Sequence, residues 1–428
     1  MTRAHGFTIL LILLSLISAG CHQDRSFVQR PEQIRSLREV VYDQATYVRL
    51  ASLWKSYYEA YPSEDAYANW MYASRYAEAR DYSRLLAEGA KLYPSNPVLI
   101  HLRAREISDT TGGLEALALE ERAAELDPSF MDPWFSLVLR YMERGDREKL
   151  DVALRKLMNS GIIANEVMDY AYNMLIGLDK DAVLVTNGDN DTYPVWILTR
   201  IAHVRSDVHV VNISLLNTDW YPGYVQREGL PTFVPHADTL KNIVKSKLDS
   251  LRALPKDDPA IYDPPQSTIL LSHLAYGCRT AGRPVFFALT LQRTPFVTRL
   301  WDAGRIEGTV VRITPPEESP AVAARRIASL WLNEFRTGGL DGWELRYADE
   351  SRAGRQLLRN YASGMRALIR VLADNSPEFR LPLFRWYCRF LQAVLPAKAR
   401  DEADRMWCGF NDIQEIDEWC RSRNLAQK

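Results

Sequence analysis

The 428-residue chain carries almost no net charge, −1 at neutral pH. That excludes the strong field expected of a nucleic-acid binder or of a protein held to anionic lipid by charge alone. It has no Gly-x-Ser-x-Gly elbow, no phosphate-cradling Gly-Lys-Ser/Thr loop, no Gly-x-Gly-x-x-Gly turn and no His-Glu-x-x-His pair. The commonest hydrolase, nucleotide-binding and zinc-protease signatures are therefore missing. Its seven histidines are scattered; His203 and His209 flank a predicted strand, where a structural or exposed role is the simpler reading. No Cys-x-x-Cys occurs, which argues against a metal knuckle or a thioredoxin-like centre. Beyond the N-terminus no apolar run approaches the ~20 residues that a membrane helix needs.

What is present begins at the N-terminus. Arg3 and His5 precede an apolar run over 7–17, and Ser18, Ala19 and Gly20 lead into Cys21. A short charged region, a short apolar region and small residues before a cut make a secretory signal. Ile17-Ser18-Ala19-Gly20-Cys21 resembles the bacterial lipobox, with Ser18 where Leu is commonest. The expectation is a signal over 1–20 and lipid on Cys21, followed by a polar tether to residue 34. Two acyl chains anchor stably where one is marginal. An ordinary signal peptide cut after Gly20 is the alternative. His22 is not Asp, which by the lipoprotein sorting rule points to an outer membrane of the cell envelope. Of the remaining cysteines, Cys278, Cys388, Cys408 and Cys420, the last two share the C-terminal tail and could staple it. Free buried thiols are the equal alternative.

The sequence is expected to fold as a helical array over 35–178, an α/β domain over 179–318 and a helical region over 319–428. A helical pattern runs from about Glu32 to Tyr61. Tyr61-Pro62-Ser63, Tyr93-Pro94-Ser95 and Asp127-Pro128-Ser129 then echo one another at intervals of 32 and 34 residues. Pro cannot continue a helix and pushes its predecessor out of the α region. Each echo therefore closes one helix pair and opens the next, at the period of tetratricopeptide repeats. Ala66, Trp70, Ala73 and Ala77 mark one face. Leu85, Ala90 and Leu92 suit the returning helix, and Ser108-Asp109-Thr110-Thr111 breaks the middle unit. Such an array binds partner segments in a groove, or simply packs against the next domain.

Residues 182–186 form a short apolar run, read as a buried parallel strand. Asn187-Gly188-Asp189-Asn190-Asp191-Thr192-Tyr193-Pro194 follows and leads into a helix. A second strand over 208–216 ends in Asn217-Thr218-Asp219-Trp220-Tyr221. A helix over 264–281 and strands over 283–290 and 307–313 complete a doubly wound, mostly parallel sheet. Residues 225–261 form a proline-rich cover with one helix over 238–251. Ligands of such sheets sit beyond the carboxyl ends of the strands. The candidate ligand-binding set is therefore Asn187, Asp189, Asn190, Asp191, Thr192, Asn212, Asn217, Thr218, Asp219, Trp220 and Tyr221. Asp189, Asp191 and Asp219 are candidate ligands of a divalent cation (Ca²⁺, Mg²⁺ or Mn²⁺), since clustered carboxylates suit hard ions. Trp220 and Tyr221 could stack on a sugar. The structural alternative is that Asp191 or Thr192 caps the next helix and Asn187-Gly188 turns the chain.

Three segments carry a resemblance: 186–194, 210–221 and 282–288. A fourth, weaker one is Glu307-Gly308 followed by Pro315. In this order they resemble motifs in the soluble C-terminal part of multi-pass bacterial membrane proteins related to protein O-mannosyltransferases. The resemblance spans roughly 175–365. In that family the membrane half would hold the catalytic acid, and this chain has no such half. The resemblance thus implies a shared recognition module for a glycan or for a glycosylation or export partner, without transferase activity. Asp189-x-Asp191 also resembles the Asp-x-Asp of nucleotide-sugar transferases, which keeps a metal-dependent transferase or hydrolase as the alternative.

Overall fold

The computed structural model describes residues 28–110, 113–230, 265–341 and 353–425, with Leu345 and a few positions between 242 and 255. Cys21 and its signal region lie outside the described residues, as do Thr111, Gly112 and most of the proline-rich cover. The chain is mostly helical, with 18 α-helices and one small mixed sheet of five strands among the described residues. None of those helices is long and apolar enough to cross a membrane.

The residues divide into two compact units. Among the described residues the first comprises 28–35 and Tyr42–Thr110, the second Ser36–Val41 and the residues from Gly113 on. The break in the middle repeat is thus where the units part. The first unit holds α1 (Gln44–Ala60), α2 (Glu64–Tyr76), α3 (Tyr82–Leu92) and α4 (Pro97–Thr110). Helix α1 starts later than its apolar pattern, because Asp43 caps it by accepting from Thr46 N at 2.7 Å. Pro62 and Pro94 fall between helices as expected, and Ser63 and Asn96 cap the helices that follow, accepting from Ala66 N and Leu99 N. On α3 the buried positions are Leu86 and Gly89, while Leu92 is exposed. Gly89 sets this register: a Cβ there would stand 2.1 Å from the Tyr67 ring. The expected tether is not free from residue 30 on. Arg30 pairs with Asp65 at 2.7 Å, the Glu32 carbonyl accepts from Trp54 Nε1 at 3.1 Å, and Ile34 N donates to Asn69 Oδ1 at 3.2 Å.

The second unit opens with α5 (Leu114–Leu126), α6 (Asp132–Arg144), α7 (Arg147–Ser160) and α8 (Asn165–Leu175). Pro128 lies between α5 and α6, and Gly145 ends α6 in the left-handed region at φ 72°. On α6 and α7 Leu137, Tyr141, Leu150, Ala153, Leu154 and Leu157 are buried and Trp134 is half-buried. Then come β1 (Val183–Thr186), α9 (Asp189–Trp196), β2 (His209–Asn212), α10 (Tyr221–Arg227), α11 (Pro265–Thr280), β3 (Val285–Ala288) and α12 (Pro295–Asp302). Strands β4 (Arg305–Glu307) and β5 (Val310–Arg312) follow. The C-terminal part holds α13 (Pro320–Ser329), α14 (Gly338–Asp341), α15 (Leu358–Asp374), α16 (Arg380–Trp386), α17 (Ala397–Trp407) and α18 (Gln414–Ser422). One apolar core runs from Ala124 on α5 to Cys420 on α18, passing through the sheet.

The sheet order is β2-β1-β3-β5-β4. Strand β1 is parallel to both neighbours, with Val183 opposite His209 and Val285. The other two pairings are antiparallel, so the sheet is mixed rather than mostly parallel. The physical reason is a two-residue turn inside the expected fourth strand. Gly308 takes φ 67° at the first central position, the arrangement of a II′ hairpin turn. The second strand also stops early, because Asn212 Oδ1 accepts from Leu215 N and turns the chain.

The hairpin is locked by buried charge. Glu307, 2 % exposed, accepts from Arg305, Arg312 and Arg326, at 2.9 Å from Arg305 Nε. Arg312 also holds Asp179, at 2.8 Å through Nη2, and lies over the Phe286 ring at 4.6 Å.

Cys408 and Cys420 form a disulfide that staples the tail, one of the two alternatives left open by the sequence. Closing a loop of that size, 12 residues apart, is worth about 3 kcal/mol by chain entropy. The double variant C408S/C420S should unfold at correspondingly lower urea or temperature than the wild type. Equal stability would show that α17 and α18 do not need the bond. Cys278 is buried and Cys388 half-buried, and burial pushes their thiols up to about 11 and about 12. Both should resist alkylation at neutral pH until the protein unfolds.

Candidate polar ligand site

Strand β1 is buried along its whole length, so its polar continuation emerges at the sheet's carboxyl edge. Asn187 ties three strand ends together there. Its carbonyl accepts from Ser214 Oγ beyond β2 at 2.7 Å, and its Oδ1 accepts from Gln292 N beyond β3 at 3.3 Å. Asp191 folds back over the turn. It accepts from Asn187 N at 2.9 Å, from Gly188 N at 2.8 Å and from Thr290 Oγ1, bridging β1 to β3. Burial raises its carboxyl above the ordinary value, against the pull of these donors. Behind it, Thr192 Oγ1 meets Thr186 Oγ1 at 2.7 Å and accepts from Asn212 Nδ2 at 2.8 Å.

Asp189 is half-exposed and pairs with Arg38, which comes from the segment Ser36–Val41. Arg38 lies over the Phe135 ring at 4.5 Å and near Tyr193 at 5.9 Å. Burial pulls its guanidinium down, but Asp189 and Tyr193 outweigh this and its pKa is raised.

These elements enclose a cavity of about 490 Å³. One wall is residues 187–191, a second is Leu289 and Thr290 beyond β3, and a third is Gln356, Leu357 and Asn360 at the start of α15. Val41, Ala353 and Gly354 complete it.

Of the expected set, Asn187, Asp189, Asn190 and Asp191 thus share one cavity. Thr192 and Asn212 lie in the buried seam behind it. Asn217, Thr218, Asp219, Trp220 and Tyr221 do not line it. Asn217 Oδ1 accepts from Ser267 N at the start of α11, and Thr218 Oγ1 donates to Leu215 O. Tyr221 is fully buried and its hydroxyl accepts from Asn212 N at 3.0 Å. Its ring stacks on Tyr224 and meets Trp220 edge-on, so it offers no platform to a sugar. The proposed metal set of Asp189, Asp191 and Asp219 is not assembled. Among the described residues no group of three His, Cys, Asp or Glu side chains is placed to hold an ion. Asp191's oxygens already serve internal donors, and Asp219 does not line the cavity.

Sequence reasoning missed Arg38, Thr290, Gln356 and Asn360. Thr290 had a signal, since it ends the third predicted strand at the ligand-binding edge. The other three come from distant segments and carried none.

The polar cavity thus lies where the loops after β1 and β3 meet the start of α15, in a mostly helical protein. A family model described as TMEM260-associated domain 2 matches residues 167–232, from α8 to just past α10. The loop over 187–191 and the β2 end both fall inside that match. That domain is linked to a protein O-mannosyltransferase-related family, a glycosylation-related context. No curated protein matches the chain, and no solved structure does.

Proposed function

We propose that the chain is a lipid-anchored envelope protein that binds a glycan, or a glycosylation or export partner presenting one, without transferring sugar itself. One observation carries this reading: the cavity beyond β1 and β3 is walled by amides and carboxylates from the segment related to a glycosylation-linked domain. Asn and Gln each offer donor and acceptor, and carboxylates accept, which is what vicinal hydroxyls require. The described lining contains no Lys or Arg, which favours a hydroxyl-rich neutral ligand over a phosphate. The sheet is read as the core of a doubly wound fold. Its β2-β1-β3 order reverses at β1, and such sheets bind ligands in the crevice where the order reverses. Helix pairs α2–α3 and α6–α7 are read as degenerate tetratricopeptide units, each a surface for an envelope protein partner. Cys21 would carry the lipid, at an outer membrane.

A thermal-shift screen with neutral mono- and disaccharides and nucleotide sugars, each with and without Mn²⁺, Mg²⁺ or Ca²⁺, tests this. A ligand at 100 times its dissociation constant adds about 2.7 kcal/mol. The expected result is stabilisation by a sugar without metal, weakened at least tenfold in N190A or N360A. No shift with any sugar would defeat the proposal. A metal-dependent shift lost in D189A would favour the enzymatic alternative, whose support is that Asp189 and Asp191 line the same cavity.

A further inference from the structure

The segment Ser36–Val41 belongs to the second unit, while the residues on both sides of it belong to the first. It is docked by a few specific contacts. Ser36 Oγ donates to Asp132, Arg38 pairs with Asp189 over the Phe135 ring, and the Glu39 carbonyl accepts from Ala353 N at 2.8 Å. Val40 is buried, and Val41 reaches the cavity wall. Asp189 joins this strap to the polar wall: its carboxylate lines the cavity and holds Arg38 at the same time.

We infer that this strap is a latch, with Arg38 as the built-in occupant of Asp189. A carboxylate that binds a planar guanidinium from one side has fewer acceptor positions left for another ligand. A molecule that takes the Asp189 carboxylate therefore competes with Arg38. Other contacts remain when Arg38 leaves, among them the Ser36 bond, the Glu39 bond and the burial of Val40. They hold the strap more weakly, and it opens more often. The competitor's chemistry follows from the seat, a carboxylate beside two aromatic faces, which suits a cation or a strong hydroxyl donor.

Hydrogen exchange on the full chain tests the latch with no ligand. The reporter amides are Ala353, which donates to Glu39 O, and Glu39 and Val40, which donate to Ser36 O. R38Q and D189N should each speed exchange at these amides about tenfold, leaving the β1 amides unchanged. The double variant should exchange no faster than either single one, because both remove the same contact. In the wild type, raising NaCl to about 1 M should speed the same amides, since the pair is open to screening through the half-exposed Asp189. Unchanged exchange in both variants and in salt would overturn the latch, and so would additive effects in the double variant. If a variant unfolds, shown by fast β1 exchange, the salt arm on the wild type decides alone. Because no sugar is used, the latch can fail while the glycan reading stands, and the reverse.

Discussion

Replacing Glu307 by Gln should lower stability by about 3–5 kcal/mol, the usual cost of removing one partner from a buried ion pair. Among the described residues Glu307 is the only carboxylate that Arg305, Arg312 and Arg326 all reach, and its side chain is almost fully buried. The amide keeps the shape but removes the charge, so Arg312, 5 % exposed, would keep only Asp179. Urea unfolding at neutral pH measures the effect, and a loss under about 1 kcal/mol would mean that the guanidiniums find other partners or water. The pH dependence supplies a second check. Burial pushes the Glu307 carboxyl up, but Arg326 and Arg312 outweigh it, so the net shift is below the ordinary 4.5. A carboxyl lowered on folding stabilises above its unfolded value and loses that contribution as pH falls through its folded value. Wild-type stability should therefore fall off below pH 4.5, and the gap to E307Q should narrow there. Asp191 works in the opposite sense. Its carboxyl is raised above 3.8 by burial, so its share of stability falls as pH climbs from that value to the folded one.

How much of this was legible in the sequence depends on whether the signal was local. The Pro62, Pro94 and Pro128 echoes marked real helix boundaries, because proline acts on its own backbone. The apolar run ending at Thr186 pointed to the sheet edge, because a fully buried strand must release its polar continuation there. The β4–β5 hairpin was hidden, since Gly308 and Thr309 sit inside what reads as one continuous strand. That the cluster over 217–221 lies off the cavity could not be read for a different reason. Asn, Thr and Asp cap helices with the same atoms that would bind a ligand, and composition cannot separate the two uses. Asp191 does both, closing the turn before α9 and facing the cavity. Arg38 and Asn360 were beyond reach, because each meets the site from more than 140 residues away in sequence or from a helix whose polar face looks like any other.

Gly364→Ala should be as damaging as the loss of Glu307, and it touches the site more directly. A Cβ on Gly364 would stand 1.9 Å from the Gly308 carbonyl oxygen and 3.1 Å from the Trp331 ring. The first obstacle is backbone in a two-residue turn, with Gly308 itself at φ 67°. It cannot swing aside as the end of a long side chain can. Overpacking usually costs 1–3 kcal/mol, and with a rigid neighbour the expected cost is about 3 kcal/mol or more. The alternative to paying it is for α15 to move away from the hairpin. Asn360 lies one turn before Gly364 on that helix and forms part of the cavity wall. Displacing α15 would therefore pull Asn360 away from Asn190 and Asp191 and weaken any ligand held between them. In G364A, thermal stability and sugar binding should fall together, whereas N360A should lose binding with stability nearly unchanged. A G364A protein as stable as the wild type would mean that α15 does not rest on the β4–β5 turn. The third wall of the cavity would then have to be set by something else.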